Sequence, residues 1–353
     1  MNADNFSAGS ALRYMTPAAP VCVPWPVRIG LLSDLHLNMP DVARVRCTTC
    51  CDIVRAGYPG KPVQCSCGQS CFRHDNESPA GARFEGPAEA IEPTPFAWGD
   101  MLRNADIDLV LLAGDIDLGR RGVEWAAEEF HGLPVVMIAG NHEFYHRDYS
   151  EALDELKSAA RASGNVTFLD RSEARFSIRG QSVRILGCTL WTDFAIYAAD
   201  GMSQQDAIRD STTVRAFQCI RHRGGFLAGR EMLDLHRKDV TWLSSALYRP
   251  HDGTTIVMTH YPPIREGLGA WDNGSARAAA FACDISRLLW RHSPDLLVWG
   301  HTHQNFDERW GCTRLVSHPR GHSLERSDDY QPKIIELPPA DTRWSNRTLP
   351  GRG

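Results

Sequence analysis

Five short, almost wholly apolar runs in this chain each stop on residues that bind metal ions, and no other feature narrows the fold as far. The runs are VRIGLLS, DLVLLA, LPVVMIA, TTIVMT and DLLVW. They are followed by Asp34-Leu35-His36, Gly114-Asp115, Gly140-Asn141-His142-Glu143, His260-Tyr261-Pro262-Pro263 and Gly300-His301-Thr302-His303. Runs so short and so apolar suit strands covered on both faces, as in parallel sheets flanked by helices. Helical periodicity separates them at 96–105, 123–131, 151–163 and 285–290, and 200–248 reads as mainly helical with a polar loop at 221–225. Further strands are expected at 166–169, 174–178 and 183–190, then a hairpin at 305–317 and a last strand at 332–337. This alternation defines an α/β layered fold with a largely parallel sheet.

The pattern implies one domain over 27–340. Ahead of it, residues 1–26 carry Pro17, Pro20, Pro24 and Pro26 without periodicity and read as a loosely ordered lead-in; 341–353 reads as a flexible tail. Between 41 and 90 the alternation breaks and Cys, Gly, Pro and Ser are enriched, which marks an insertion within the domain. No apolar run approaches the ~20 residues that span a bilayer. The N-terminal MNADNFSAGSALRYM has neither a basic nor an apolar signal region, so a cytoplasmic protein with no membrane partner is expected. A net charge of -5 shows no basic bias, and nucleic acid is therefore not the expected partner. Oligomeric state is not legible.

In open α/β sheets ligands bind at the carboxyl ends of strands, so Asp34, His36, Asp115, Asn141, His142, His260, His301 and His303 should meet in one crevice. Each motif alone has a bland reading, since Gly-Asp is a common turn and Asp-x-His after a strand arises by chance. Gly-His-Thr-His is the most specific, because two histidines two apart on an extended chain face one way. Mixed oxygen and nitrogen donors suit Mn, Fe, Zn or Co and not an all-oxygen Ca or Mg cage. The set exceeds what one ion needs, and a pair of ions sharing a carboxylate fits it.

In these five blocks, SDLHL, AGDID, AGNHEF, MTHYPP and WGHTHQ, the chain resembles the calcineurin-like metallophosphoesterase superfamily, over roughly 27–36 and 96–320. The resemblance implies a four-layer α-β-β-α sandwich with a dinuclear centre of divalent or trivalent ions. By position, Asp34, His36 and His303 would hold the first ion, Asn141, His260 and His301 the second, and Asp115 both. His142 would stay off the metals and face the substrate. The implied reaction is hydrolysis of a phosphomonoester or phosphodiester, of a small molecule or nucleotide, by water activated between two ions. His142 would stabilise an oxygen or protonate the leaving group. A nuclease is the alternative enzyme, disfavoured by the acidic balance. A non-catalytic scaffold of the same fold is the alternative outside enzymes, disfavoured because all eight positions are filled.

Three features depart from or extend the family pattern. Protein-phosphatase relatives carry Gly-Asp-x-x-Asp-Arg-Gly, whereas here Asp117 is displaced by one and no Arg-Gly follows, so Asp117 reads as a turn or supporting residue. Ser317-His318-Pro319-Arg320-Gly321-His322 resembles the Asn-Pro-Arg-Gly-Tyr stretch of many bacterial members, and Arg320 is a candidate phosphate contact. Six of the eleven cysteines lie between Cys47 and Cys71. In a reducing compartment, metal or free thiol is a better expectation than disulfide. Cys47, Cys50, Cys65 and Cys67 form one candidate tetrad for a structural zinc, with Cys71 able to replace Cys67; free or paired thiols are the other reading. An insertion placed just after the first metal loop should hang beside the site as a lid or specificity element.

Overall fold

The structure, a computed structural model, describes residues 25–38, 97–322 and 329–339, together with the backbone of six short strands between 43 and 91. Two large sheets carry the domain. Numbering only their strands along the chain, the first six are β1 (Val27–Leu32), β2 (Leu109–Leu112), β3 (Val135–Ile138), β4 (Val166–Leu169), β5 (Ser172–Ile178) and β6 (Gln181–Gly187). Then come β7 (Thr254–Met258), β8 (Leu296–Trp299), β9 (Phe306–Trp310), β10 (Thr313–Ser317) and β11 (Lys333–Leu337). One sheet runs β4-β3-β2-β1-β11 and the other β5-β6-β7-β8-β10-β9. Each has a parallel centre and antiparallel edges: β11 against β1 in the first, β5 against β6 and β9 against β10 in the second.

Side-chain alternation explains why the central strands are apolar throughout. On β2, Leu109 and Leu111 join one buried cluster and Val110 and Leu112 another. The same split divides Val136 and Ile138 from Val135 and Met137 on β3, and Ile256 and Met258 from Val257 on β7. The first cluster takes residues only from the two sheets and is therefore the layer between them. The second brings in helix residues such as Val123, Ala126, Leu156 and Leu243, so helices cover the outer faces. These are the four layers the resemblance implies. Both faces of each central strand lose water, so no polar alternation could appear there. Burying one such Leu or Ile side chain contributes about 1.5–3 kcal/mol.

The helices follow local signals. The longest predicted amphipathic stretch is the helix Tyr149–Ser163, which starts where the Asp148 carboxylate accepts from the Ser150 amide at 2.9 Å. It ends at Gly164, whose φ of 80 is the left-handed turn that glycine allows. Residues 200–248 hold the helices Gln204–Asp210, Ala216–Cys219 and Gly229–Tyr248, and the expected polar loop is a small hairpin of Arg221–His222 and Gly225–Phe226. Among the described residues no helix is long and apolar enough to cross a membrane.

In the stretch read above as an insertion, where no strands were expected, Ala43–Cys47, Ile53–Ala56 and Ala88–Ile91 form one three-stranded sheet, and Pro62–Gln64, Ser70–Arg73 and Phe84–Glu85 another. The zinc reading falls outside what is described: Cys50, Cys65 and Cys67 lie outside the described residues, as do the side chains of Cys47 and Cys71. Most of the lead-in and the whole 341–353 tail also lie outside them.

The inter-sheet layer should behave as the packed core. Leu111→Ala, at a fully buried position in that layer, is expected to lower the unfolding free energy by about 2–5 kcal/mol in urea titration. A loss below about 1 kcal/mol would place the stabilising core elsewhere.

Candidate metal centre

The loops after β1, β2, β3, β7 and β8 all leave the same edge of the two facing sheets and bring the predicted residues together in two groups. In one group Asp34, His36 and His303 converge: His36 Nε2 is 3.0 Å from His303 Nε2, and His303 Nε2 is 3.5 Å from Asp34 Oδ1. In the other, Asp115, His260 and His301 converge, with His260 Nε2 3.4 Å from Asp115 Oδ1 and 3.3 Å from Asn141 Oδ1. Asp115 faces both groups. Its Oδ1 meets His260, while its Oδ2 lies 4.0 Å from His36 Nε2 and 3.8 Å from His142 Nε2. His142 belongs to neither group and touches His36 on its other side, Nδ1 to Nδ1, at 3.3 Å.

The backbone that delivers these side chains is strained. Asp34, His36, Asp115, His301 and His303 have φ of 50, 45, 55, 72 and 55, the left-handed region that non-glycine residues rarely occupy. Cross-loop hydrogen bonds hold them there: Asp34 N donates to Gly114 O and His36 N to Asp115 O, both at 3.0 Å. Carboxylates take part as well. Asp34 Oδ1 accepts from His301 N and Asp115 Oδ1 from His142 N, each at 2.8 Å. Two glycines permit the closeness. A Cβ at Gly140 would stand 2.1 Å from Asp115 Oδ1, and one at Gly300 2.2 Å from Asp34 Oδ2.

Electrostatics set the charge states. Burial works against a charged Asp115, but the protonated His260 beside it outweighs this and holds its carboxyl well below the usual carboxylate range. Burial likewise disfavours a charged His260, yet the Asp115 carboxylate raises it to about 9. Burial lowers His36, His142 and His301, which are neutral imidazoles with lone pairs to offer.

Sequence reasoning passed over three residues that shape the centre. Glu143, fully buried, accepts from the amides of Asp115 (3.0 Å), Ile116 (2.8 Å) and Gly140 (2.7 Å), and so ties the β2 loop to the β3 loop. Burial raises its carboxyl to about 8. Tyr145 stacks on His142 with ring centroids 4.2 Å apart and accepts from Asn141 Nδ2 at 2.8 Å. Tyr261 stacks on His301 at 3.9 Å. Glu143 and Tyr261 sit inside the quoted motifs, so a buried acid beside a ligand-rich turn was the available signal. Asp117 accepts from Leu118 N at 2.6 Å and Arg121 Nη2 at 2.7 Å, a turn role. The Arg320 guanidinium reaches Leu35 O at 3.5 Å and lies 5.8 Å from the Trp98 ring centroid.

A cleft of ≈ 920 Å³ adjoins the centre, lined among others by Tyr145, His146, Arg147, Arg221 and Phe226. Tyr145 is the shared wall: one of its faces is the surface on which His142 stacks.

The Glu143 bridge gives a sharp test. Above a pH of about 8, where Glu143 is a carboxylate, Glu143→Gln puts an amide donor against a backbone donor, and an unmet buried group costs about 1–3 kcal/mol. The variant is expected to stay folded by circular dichroism while its affinity for added Mn or Zn, read by calorimetry, falls at least tenfold. Unchanged affinity would mean that Glu143 does not set the loop geometry.

A model of the calcineurin-like phosphoesterase family matches residues 27–305. No curated protein matches in sequence. Among solved structures, phosphopantetheinyl hydrolase from Mycobacterium tuberculosis is similar at 15% identity with a TM-score of 0.53, covering 64% of this chain and 85% of that one. A dimetal phosphatase from Danio rerio covers 89% of this chain and 93% of its own at 14% identity, with a TM-score of 0.46. The first likeness supports the fold, and the second is too distant to carry an argument. The family match spans most of the chain and all five strand-end blocks, and the chain belongs to the calcineurin-like phosphoesterase family.

Proposed function

We propose that this protein hydrolyses a small-molecule phosphomonoester or phosphodiester with two metal ions drawn from Mn, Fe, Zn or Co. Asp34, His36 and His303 hold one ion, Asn141, His260 and His301 the other, and Asp115 serves both. The observation that carries the reading is the opposed orientation of the two Asp115 oxygens toward separate imidazole groups. Two buried polar atoms agree with it: Asp34 Oδ2 and His301 Nε2 have no hydrogen-bond partner. A buried carboxylate oxygen and a buried imidazole nitrogen left in this way are costly unless a cation takes them. The donor set fits such ions.

Bound there, two such ions lower the pKa of water and draw charge from phosphoryl oxygens. The chain's own residues then orient and donate. If the Nε2 lone pair of His36 faces an ion beside Asp34 and His303, its proton stays on Nδ1. That N–H donates to His142 Nδ1, 3.3 Å away. His142 consequently carries its proton on Nε2, on the side facing Asp115. The hydrogen-bond chain therefore fixes the tautomer in which His142 presents an N–H to a phosphoryl oxygen or a leaving group. Tyr145 holds the ring by stacking.

A small leaving group is favoured over a nucleic acid. The adjoining cleft is within the size range of small-ligand pockets. Two of the three arginines that line it are already paired, Arg121 with Asp117 and Arg147 with Glu155.

Metal analysis combined with turnover of p-nitrophenyl phosphate and bis-p-nitrophenyl phosphate tests the reading. His142→Ala is expected to lower turnover by about 10²–10⁴-fold with metal content near normal, whereas Asp115→Ala loses metal. Equal metal loss in both would refute the division of roles. Because His260 must shed a proton to bind an ion, metal affinity should rise with pH toward about 9. Full activity after exhaustive chelation would refute the metal reading altogether.

A further inference from the structure

His322 stands inside the imidazole cluster, although no strand-end block contains it. Its ring centroid is 4.4 Å from that of His36, 4.5 Å from His303 and 5.8 Å from His142. Ring nitrogens of His36, His142 and His322 lie within 4.8 Å of one another. Backbone contacts put it there. Beyond β10 the chain crosses to the other sheet: Pro319 bridges Ser33, Arg320 N donates to Ser33 O at 3.0 Å and Gly321 N to Asp34 O at 3.1 Å. The segment is pinned to the very loop that carries Asp34 and His36. Tyr330 braces it from the other side by donating to His318 O at 3.0 Å.

We propose that His322 binds the phosphoryl group of the substrate beside His142, so that two imidazole N–H groups grip one anion. The proposal rests on the phosphoesterase reading above. An ion is the competing occupant of the His36–His142–His322 corner, and the chemistry of His36 argues against it. An imidazole that binds one ion through Nε2 keeps its proton on Nδ1; binding a second ion would require the imidazolate. The group on the Asp34–His303 side of His36 includes a carboxylate, whereas the His36–His142–His322 group is imidazole alone, with Asp115 Oδ2 3.8 Å from His142 Nε2, so the cation belongs on the former. The latter offers donors. Two N–H groups that share a phosphoryl group, each about 2.9 Å from an oxygen, stand roughly 4–6 Å apart, and the His142 and His322 rings, 5.8 Å apart between centroids, are close enough to share one. The neighbouring Arg320 directs its guanidinium to Leu35 O instead. In this arrangement the phosphate contact of the segment is His322, two residues beyond the arginine.

The test uses the full-length, metal-loaded protein with inorganic phosphate as probe. His322→Ala and His322→Asn are expected to keep the wild-type metal content and fold. Their inhibition constant for phosphate and KM for bis-p-nitrophenyl phosphate should rise about tenfold or more, as expected for losing a hydrogen bond to a charged group. His318→Ala, on the same segment, should leave phosphate inhibition unchanged. Unchanged phosphate inhibition in both His322 variants overturns the proposal. Loss of a bound ion in either variant overturns it too, since His322 would then be a metal ligand. If the loaded wild type hydrolyses neither ester and binds no phosphate, the phosphoesterase reading falls and takes this proposal with it.

Discussion

The Asp115 carboxylate is 2% exposed, and a charge so dry has to be compensated by groups within a few ångströms. The His142 amide and the His260 imidazole supply that compensation. Asp115 leaves β2 in one sheet, whereas His260 leaves β7 in the other. Their 3.4 Å approach is therefore an interaction between sheets, and its length is set by how Leu111, Ile138, Ile256 and Met258 pack between them. The apolar layer acts as the spacer for the chemistry. A change in its thickness would open the gap between the two groups that Asp115 joins.

The same economy governs the backbone. Left-handed residues cost of order 1–3 kcal/mol each when not glycine, and several of the candidate ligands adopt that conformation. The hydrogen bonds that hold them run from loop to loop: β1 loop to β2 loop through Asp34 and His36, and β2 loop to β3 loop through Glu143. Each loop is held by its neighbours more than by its own sequence, so the donor atoms are fixed by bonds within the protein. Preorganisation of this kind is what lets binding free energy go into charge stabilisation. His322 extends the principle, since its segment is tied to Ser33 and Asp34 by main-chain bonds.

Much of this was legible from residue types alone. The strands of the two large sheets were placed to within three residues because they are short, apolar and bounded by Gly, Pro or polar clusters, whereas the short strands between 43 and 91 were not foreseen. The helix Tyr149–Ser163 carried its own cap in Asp148. The hairpin expected at 305–317 is the antiparallel pair β9 and β10, whereas β11 was visible as a strand but not in its direction, which depends on its pairing with β1 at the other end of the domain. Arg320 drew attention as the charged residue of its segment, while His322, an imidazole outside the strand-end pattern, did not. Periodicity also offered no reason to single out Glu143, whose value lies in three amides brought to it from two other positions in the chain.

By itself the sequence determined which side chains end the strands, and with them the family. Those are properties of residue identity and local order, and they survive without coordinates. Only the tertiary structure decided which Asp115 oxygen faces which group, that His142 meets the reverse side of His36, and that His322 shares the corner with it. Such distances arise where two sheets and a crossing segment meet. They are fixed by packing and cross-loop hydrogen bonds between residues hundreds of positions apart, and no local pattern encodes them.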